Sequence, residues 1–138
     1  MPPAQRLRSP TVHKSRLAGF IIDCRTDDLD QAAVFWSQAL GYGLKKSSAA
    51  QDAQYKLLDT PSDGLHIEVQ KVNHPSRVHL DIESDDIEAE VQRLEKLGAK
   101  RVAQVRTWWV MEAPTGQRFC VVRVQRSDFE ANANTWNE

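Results

Sequence analysis

The chain repeats itself. Residues 21–30 (IIDCRTDDLD) align without a gap with residues 79–88 (HLDIESDDIE): Asp23 meets Asp81, Thr26 meets Ser84, Asp27 and Asp28 meet Asp85 and Asp86, and Leu29 meets Ile87. Gly41 meets Gly98 after a slip of one residue. Further on, residues 55–72 align with 108–124, bringing Pro61 to Pro114, Gly64 to Gly116, Ile67 to Phe119 and Val69 to Val121. Matches recurring in the same order imply a unit of about 50 residues present twice, so the body must fold as two similar modules.

Each module predicts the order β-α-β-β-β. The opening strands are residues 19–25 and 77–83, each followed by an acidic turn. Short oxygen side chains there suit the exposed amides and positive end of a helix. The first helix carries Leu29, Ala32, Ala33, Trp36, Ala39 and Leu40 on one face, the second Ile87, Val91, Leu94 and Leu97. Gly41 and Gly98 stand where a left-handed residue ends a helix. Three strands follow in each module, near 42–46, 55–59 and 65–71, then near 101–105, 108–112 and 117–124. The turns at Pro61–Gly64 and Pro114–Gly116 join the last two as hairpins.

Composition narrows the partners. The 138 residues hold 18 Lys and Arg against 19 Asp and Glu, without the basic excess of a nucleic-acid binder. No apolar run approaches the roughly 20 residues of a membrane span. Two cysteines, Cys24 and Cys120, make no disulfide framework, and the reading is a cytoplasmic protein. Residues 1–16 carry Arg6, Arg8, Lys14 and Arg16, no acid and three prolines, and read as a flexible basic arm. Residues 126–138 read as a polar tail whose Phe129 and Trp136 dock on the body or on a second subunit.

Strand alternation separates two faces. Phe20, Ile22, Cys24, Val78, Leu80, Ile82, Ile67, Val69, Phe119 and Val121 make apolar surfaces for the helices to cover. The opposite surface carries Asp23, His66, Glu68, His79, Asp81, Arg118 and Cys120. Histidines, carboxylates and a thiol are unusual on a merely wetted sheet, where Thr, Lys and Ser would serve, although antiparallel sheets often have one wet face. Trp108 and Trp109 must face opposite ways, and Trp109 is taken as the one walling the cleft. Parity also puts Cys24 and Cys120 on opposite faces, against a disulfide between them.

DDLDQAAVFWSQALGYGL, RVHLDIESDDIEAEVQRLEKLGAK and WWVMEAPTGQRFCVVRV, together spanning most of residues 17–125, resemble the vicinal-oxygen-chelate superfamily of glyoxalases, bleomycin-resistance proteins and extradiol dioxygenases, and within it the glyoxalase-like branch. The resemblance implies an α+β fold: modules 17–72 and 77–125 forming a cup-shaped, mostly antiparallel sheet with helices on its outer face. It implies a small-molecule cleft and a homodimer, while charge balance and the lack of a long apolar run leave no nucleic-acid or membrane partner. It also implies a divalent metal (Fe, Mn, Ni, Co or Zn) at four strand positions, which fall here on Ile21, Glu68, His79 and Cys120. Ile21 cannot ligate, and Cys120 would soften the site. Glu68 and His79 are thus the expected ligands and catalytic residues, with His66, Asp81 and Cys120 as further candidate ligands, and Ile21, Asp23, Arg118 and Trp109 lining the cleft. Three readings stay open: a metal-assisted lyase, isomerase or dioxygenase; a non-catalytic protein that sequesters a small ligand; and an interaction scaffold whose cup is closed. Without metal, Glu68 and Asp81 require a wet cleft or pairing with Arg118, Arg25 or protonated His79.

Overall fold

The computed structural model describes residues 12–46 and 54–137. Residues 1–11 of the expected arm, the small-residue loop expected at 47–53, and residue 138 lie outside the described residues. The fold is α+β. Among the described residues, eight strands, β1 (Val12–Arg25), β2 (Tyr55–Leu57), β3 (His66–Val72), β4 (Arg77–Ser84), β5 (Lys100–Val105), β6 (Trp108–Glu112), β7 (Arg118–Arg123) and β8 (Asn134–Asn137), accompany three helices, α1 (Leu29–Leu40), α2 (Ile87–Lys96) and α3 (Phe129–Asn132). Pairing is mostly antiparallel; β1 and β3 are parallel. The described residues hold no helix long and apolar enough to cross a membrane. The chain divides into two compact units, Leu17–Asp81 and residues 1–16 with 82–138.

In the unit Leu17–Asp81, the Asp28 side chain accepts from the Gln31 amide and starts α1, and Gly41 ends it at φ 78°. Leu29 and Ala33 of α1 are buried with Leu58 and Val69, and Cys24, Ala32, Trp36, Tyr42 and Ile67 pack around them. The strand expected at 42–46 is only a bridge from Leu44 to Leu58. Gly43 and two lysines leave Leu44 as the one apolar residue between Tyr42 and Lys46, too little to anchor a strand. Gly19 lies opposite His66 in the parallel pair. A Cβ there would lie 1.6 Å from the His66 carbonyl oxygen, so β1 and β3 approach this closely only because residue 19 is glycine.

In the other unit, Asp86 caps α2 by accepting from the Ala89 amide. Val91, Leu94, Met111 and Val121 are buried together, with Ile82, Ile87, Ala99, Trp109 and Phe119 around them. Both ends of the chain depart from expectation. Residues 12–16, placed in the flexible arm, are the start of β1 and pair with β8. The tail residues Phe129 and Trp136 belong to α3 and β8, and Phe129 is buried. Trp136 Nε1 donates to Ser15 Oγ at 2.8 Å, and the Arg93 guanidinium lies 3.9 Å over its ring. Arg93 donates twice to Glu90 at 2.8 Å, and buried His13 Nε2 donates to the same carboxylate at 2.8 Å. Arg16 Nε and Arg126 Nε donate to Glu83 Oε2 at 2.7 and 3.1 Å, while the Gln125 and Arg126 amides donate to Oε1. Arg16 also pairs with Asp128, and Lys14 with Glu130, so these two basic residues of the arm are engaged by acids of this unit.

Candidate functional site

The polar groups of the unit Leu17–Asp81 converge on one face of β1, β3 and β4. Alternation explains the placement: Cys24, Ile67 and Val69 point into the cluster under α1, so Asp23, His66 and Glu68 point the other way. The parallel register sets Ile21 beside Glu68 and Gly19 beside His66. His79 and Asp81, two apart on β4, share one side of that strand.

At the centre, Asp23 Oδ2 lies 2.7 Å from His79 Nδ1. A carboxylate only accepts, so Nδ1 carries the proton of this contact. The ring's Nε2 is 3.4 Å from Asp81 Oδ1. The separation suits an ion pair but is too long for a well-formed hydrogen bond. Among the described residues, Asp81 Oδ1 and Asp23 Oδ1 are buried without a hydrogen-bond partner. Burial pushes the Asp81 carboxyl above its ordinary range; His79 pulls it back, and the charge of Glu68 pushes it up again. His66 Nε2 donates to Glu68 Oε1 at 2.7 Å. Arg77 Nε stands 3.8 Å from Asp23 Oδ2.

Of the residues singled out in the sequence, Glu68, His79, His66, Asp81, Asp23 and Ile21 therefore lie in one unit, and Ile21 is buried there as an apolar side chain. Cys120, Arg118 and Trp109 belong to the other unit. Cys120 is a buried free thiol on β7. Arg118 pairs across strands with Glu112 at 3.2 Å. Trp109 corrects the expectation of a cleft wall. It sits opposite Val121 in the β6–β7 register, packs into the core cluster with it, and has Arg101 over its ring at 4.9 Å. By alternation Trp108 takes the opposite face.

Two contributions escaped the sequence reading. Asp23 was placed on the site face but not as the partner of His79, because 56 residues separate them. Gly19, which admits the His66 backbone, left only the signal of a glycine inside an apolar strand.

A family profile described as glyoxalase-like domain matches residues 19–122. The chain belongs to the glyoxalase-like domain family. Solved structures of low identity share its fold. Methylmalonyl-CoA epimerase from Mycobacterium tuberculosis is 17% identical, with a TM-score of 0.58 over 79% of this chain and 88% of that one. A hypothetical protein from Bacillus halodurans C-125 is 13% identical, with a TM-score of 0.58 over 82% and 97%. Streptomyces coelicolor methylmalonyl-CoA epimerase in complex with 2-nitronate-propionyl-CoA is 14% identical, with a TM-score of 0.54 over 80% and 98%. Among curated protein sequences none matches significantly.

Imidazole and carboxylate donors on one face are chemically suited to a divalent cation. His79 is oriented by a carboxylate on its far nitrogen, as metal-bound imidazoles usually are. Its near nitrogen faces a carboxylate oxygen with no other partner.

Proposed function

We propose that this glyoxalase-like protein is an enzyme acting on a small molecule with adjacent oxygen atoms, through a metal-assisted step in which Glu68 and His79 are the catalytic residues. The observation that carries the reading is the 2.7 Å contact of Asp23 with His79 Nδ1, which holds the imidazole in the tautomer that ligates. A bound divalent ion (Fe, Mn, Ni, Co or Zn) would act as a Lewis acid on the substrate oxygens. His79 would hold it, and Glu68 would move the proton. His66 Nε2–H holds the Glu68 carboxylate in place at 2.7 Å. Reactions of lyase, isomerase or dioxygenase type all begin from such an arrangement. Metal analysis of gently purified protein tests the reading, with His79→Ala as control. Stoichiometric metal in the wild type and its loss in the variant are expected. No metal, and no gain on adding any of the five ions, overturns it.

Ile21 favours a second reading. It stands at a position where the superfamily supplies a ligand, and it is buried and apolar. A non-catalytic protein that sequesters a small ligand tolerates that loss. Thermal shifts with planar ligands and no turnover support this alternative, and turnover sinks it.

The proposal includes a homodimer in the cytoplasm. Val78 and Leu80, on the side of β4 opposite His79, are 58% and 44% exposed, and Phe35 on α1 is 59% exposed, which suits burial against a second copy. Both cysteines are free thiols, as a reducing compartment leaves them. Sedimentation at micromolar concentration showing a monomer overturns the dimer.

A further inference from the structure

We infer that the face of β5, β6 and β7 turned away from the α2 cluster binds an elongated aromatic carboxylate, with its ring on Trp108 and its carboxylate on Arg118. All three strands belong to the unit that ends at residue 138, and His79 belongs to the other. The inference goes beyond the proposed reaction and stands without a metal.

Three observations carry it. The first is an unengaged indole. Trp109, Met111, Phe119 and Val121 turn to the core cluster, so by alternation Trp108, Val110, Glu112, Arg118 and Cys120 turn to the opposite face. Trp108 is half-buried there. Among the described residues its Nε1–H meets no acceptor, and its ring meets no aromatic or cationic partner. The other tryptophans are each engaged: Trp136 by Ser15 and Arg93, Trp109 by Arg101, and Trp36 by the edge of Phe35. A large amphipathic ring left in half shelter offers a ligand both a stacking face and a donor. The second observation is charge. Glu112 lies between Lys100 on β5 and Arg118 on β7. Arg118 Nε donates to Glu112 Oε1 at 3.2 Å. Among the described residues the Arg118 Nη atoms and the Lys100 ammonium meet no acceptor. One carboxylate between two cations leaves this row positive. The open end of a guanidinium is a planar fork that takes a carboxylate through two parallel bonds. The third is spacing. Val110 opposite Cys120 makes an apolar floor between the two ends, and Cys120 is only 9% exposed, so the floor is sheltered. At about 3.4 Å per residue, the rows of Trp108 and Glu112 lie about 14 Å apart along β6. A ring joined to a carboxylate by a short alkyl chain bridges that interval once the reach of the Arg118 side chain is taken off. An uncharged planar ligand would leave Arg118 unused, and a fatty acid would leave Trp108 unused.

Nitrogen-15 NMR of the full-length protein tests the site, with phenylbutyrate as the probe and phenylbutyramide and hexanoate as its controls. Trp108→Phe assigns the Trp108 indole signal among those of the four tryptophans. Phenylbutyrate should shift that signal and leave those of Trp36 and Trp136 in place. The amide lacks the charge and hexanoate lacks the ring, so each should bind at least about tenfold more weakly, the worth of one charge-assisted hydrogen bond or one stacked ring. Arg118→Gln should weaken phenylbutyrate about tenfold and leave the amide unchanged. No shift of the Trp108 signal up to about 10 mM probe overturns the site. Equal affinity for acid and amide overturns it as well, because the charge is then not read. A Trp108 signal that moves with protein concentration and with none of the probes gives this face to a second copy and likewise overturns the inference. If Arg118→Gln does not fold, the comparison of acid with amide on the wild type decides alone.

Discussion

Asp23 holds His79 by its far nitrogen: Oδ2 lies 2.7 Å from Nδ1, and the carboxylate is buried. The pairing sets which nitrogen of the imidazole is available for chemistry. Asp23→Asn removes the charged acceptor while keeping the shape. It should lower divalent-metal affinity about 10–100-fold. Nitrogen-15 NMR of the histidine ring should show the wild type with its proton on Nδ1 and the variant with mixed tautomers. Unchanged tautomers would remove Asp23 from this role, whatever happens to stability.

Gly19→Ala places a Cβ 1.6 Å from the His66 carbonyl oxygen, against backbone that cannot rotate away. The β1–β3 pair must separate there, and His66 and Glu68 move with it. A loss of about 3 kcal/mol or more in urea unfolding is expected, in the range of strain at a constrained backbone site. A loss under about 1 kcal/mol would show that the strands accommodate a side chain here, within the spread of ordinary surface changes.

The acid limb of stability should come from Glu83 and Glu90. Burial pushes the Glu83 carboxyl up, but the Gln125 and Arg126 amides and the Arg16 and Arg126 guanidiniums outweigh it and hold it below the usual glutamate range. Glu90 is likewise held low by Arg93, His13 and Ser15 against its burial. Unfolded glutamates titrate near about pH 4.3. A carboxyl lowered in the folded state gives its full contribution above that pH and loses it as pH falls through the folded value. Stability should therefore hold near neutrality and drop below about pH 4.3. Glu83→Gln should cost about 3–5 kcal/mol at pH 7, because Arg16 and Arg126 lose a buried partner. It should also flatten the acid limb. A limb as steep as the wild type's would contradict the assignment.

Trp136 fastens β8 to the start of β1. Trp136→Ala loses the bond to Ser15 and the ring beneath Arg93. Together these predict about 2 kcal/mol of destabilisation, from a cation–π contact and a side-chain hydrogen bond. Trp136→Phe keeps a ring and should lose about half as much, the hydrogen bond alone. Equal losses in the two variants would show that Arg93 contributes nothing over the ring.

The repeat made much of the fold legible. Asp28 and Asp86 cap the two long helices where the acidic turns predicted. What escaped depends on contacts remote in sequence. Residues 12–16 read as a basic arm, because nothing local shows that His13 and Ser15 are buried. Their partners, Glu90 and Trp136, are 77 and 121 residues away. Parity separated Trp108 from Trp109 but could not say which meets the helix; the register opposite Val121 decides it. Alternation likewise put Asp23, Glu68, His79 and Asp81 on one kind of face. It could not pair them, since which carboxylate reaches which imidazole depends on how neighbouring strands align.

The proposed function turns on a divalent cation held by His79. The most direct test is a crystal structure grown with Mn2+, read from its anomalous difference map. A single strong peak is expected about 2.0–2.2 Å from His79 Nε2, with Asp23 still on Nδ1. A map with no peak beside His79, or with a water in its place at saturating Mn2+, would contradict it.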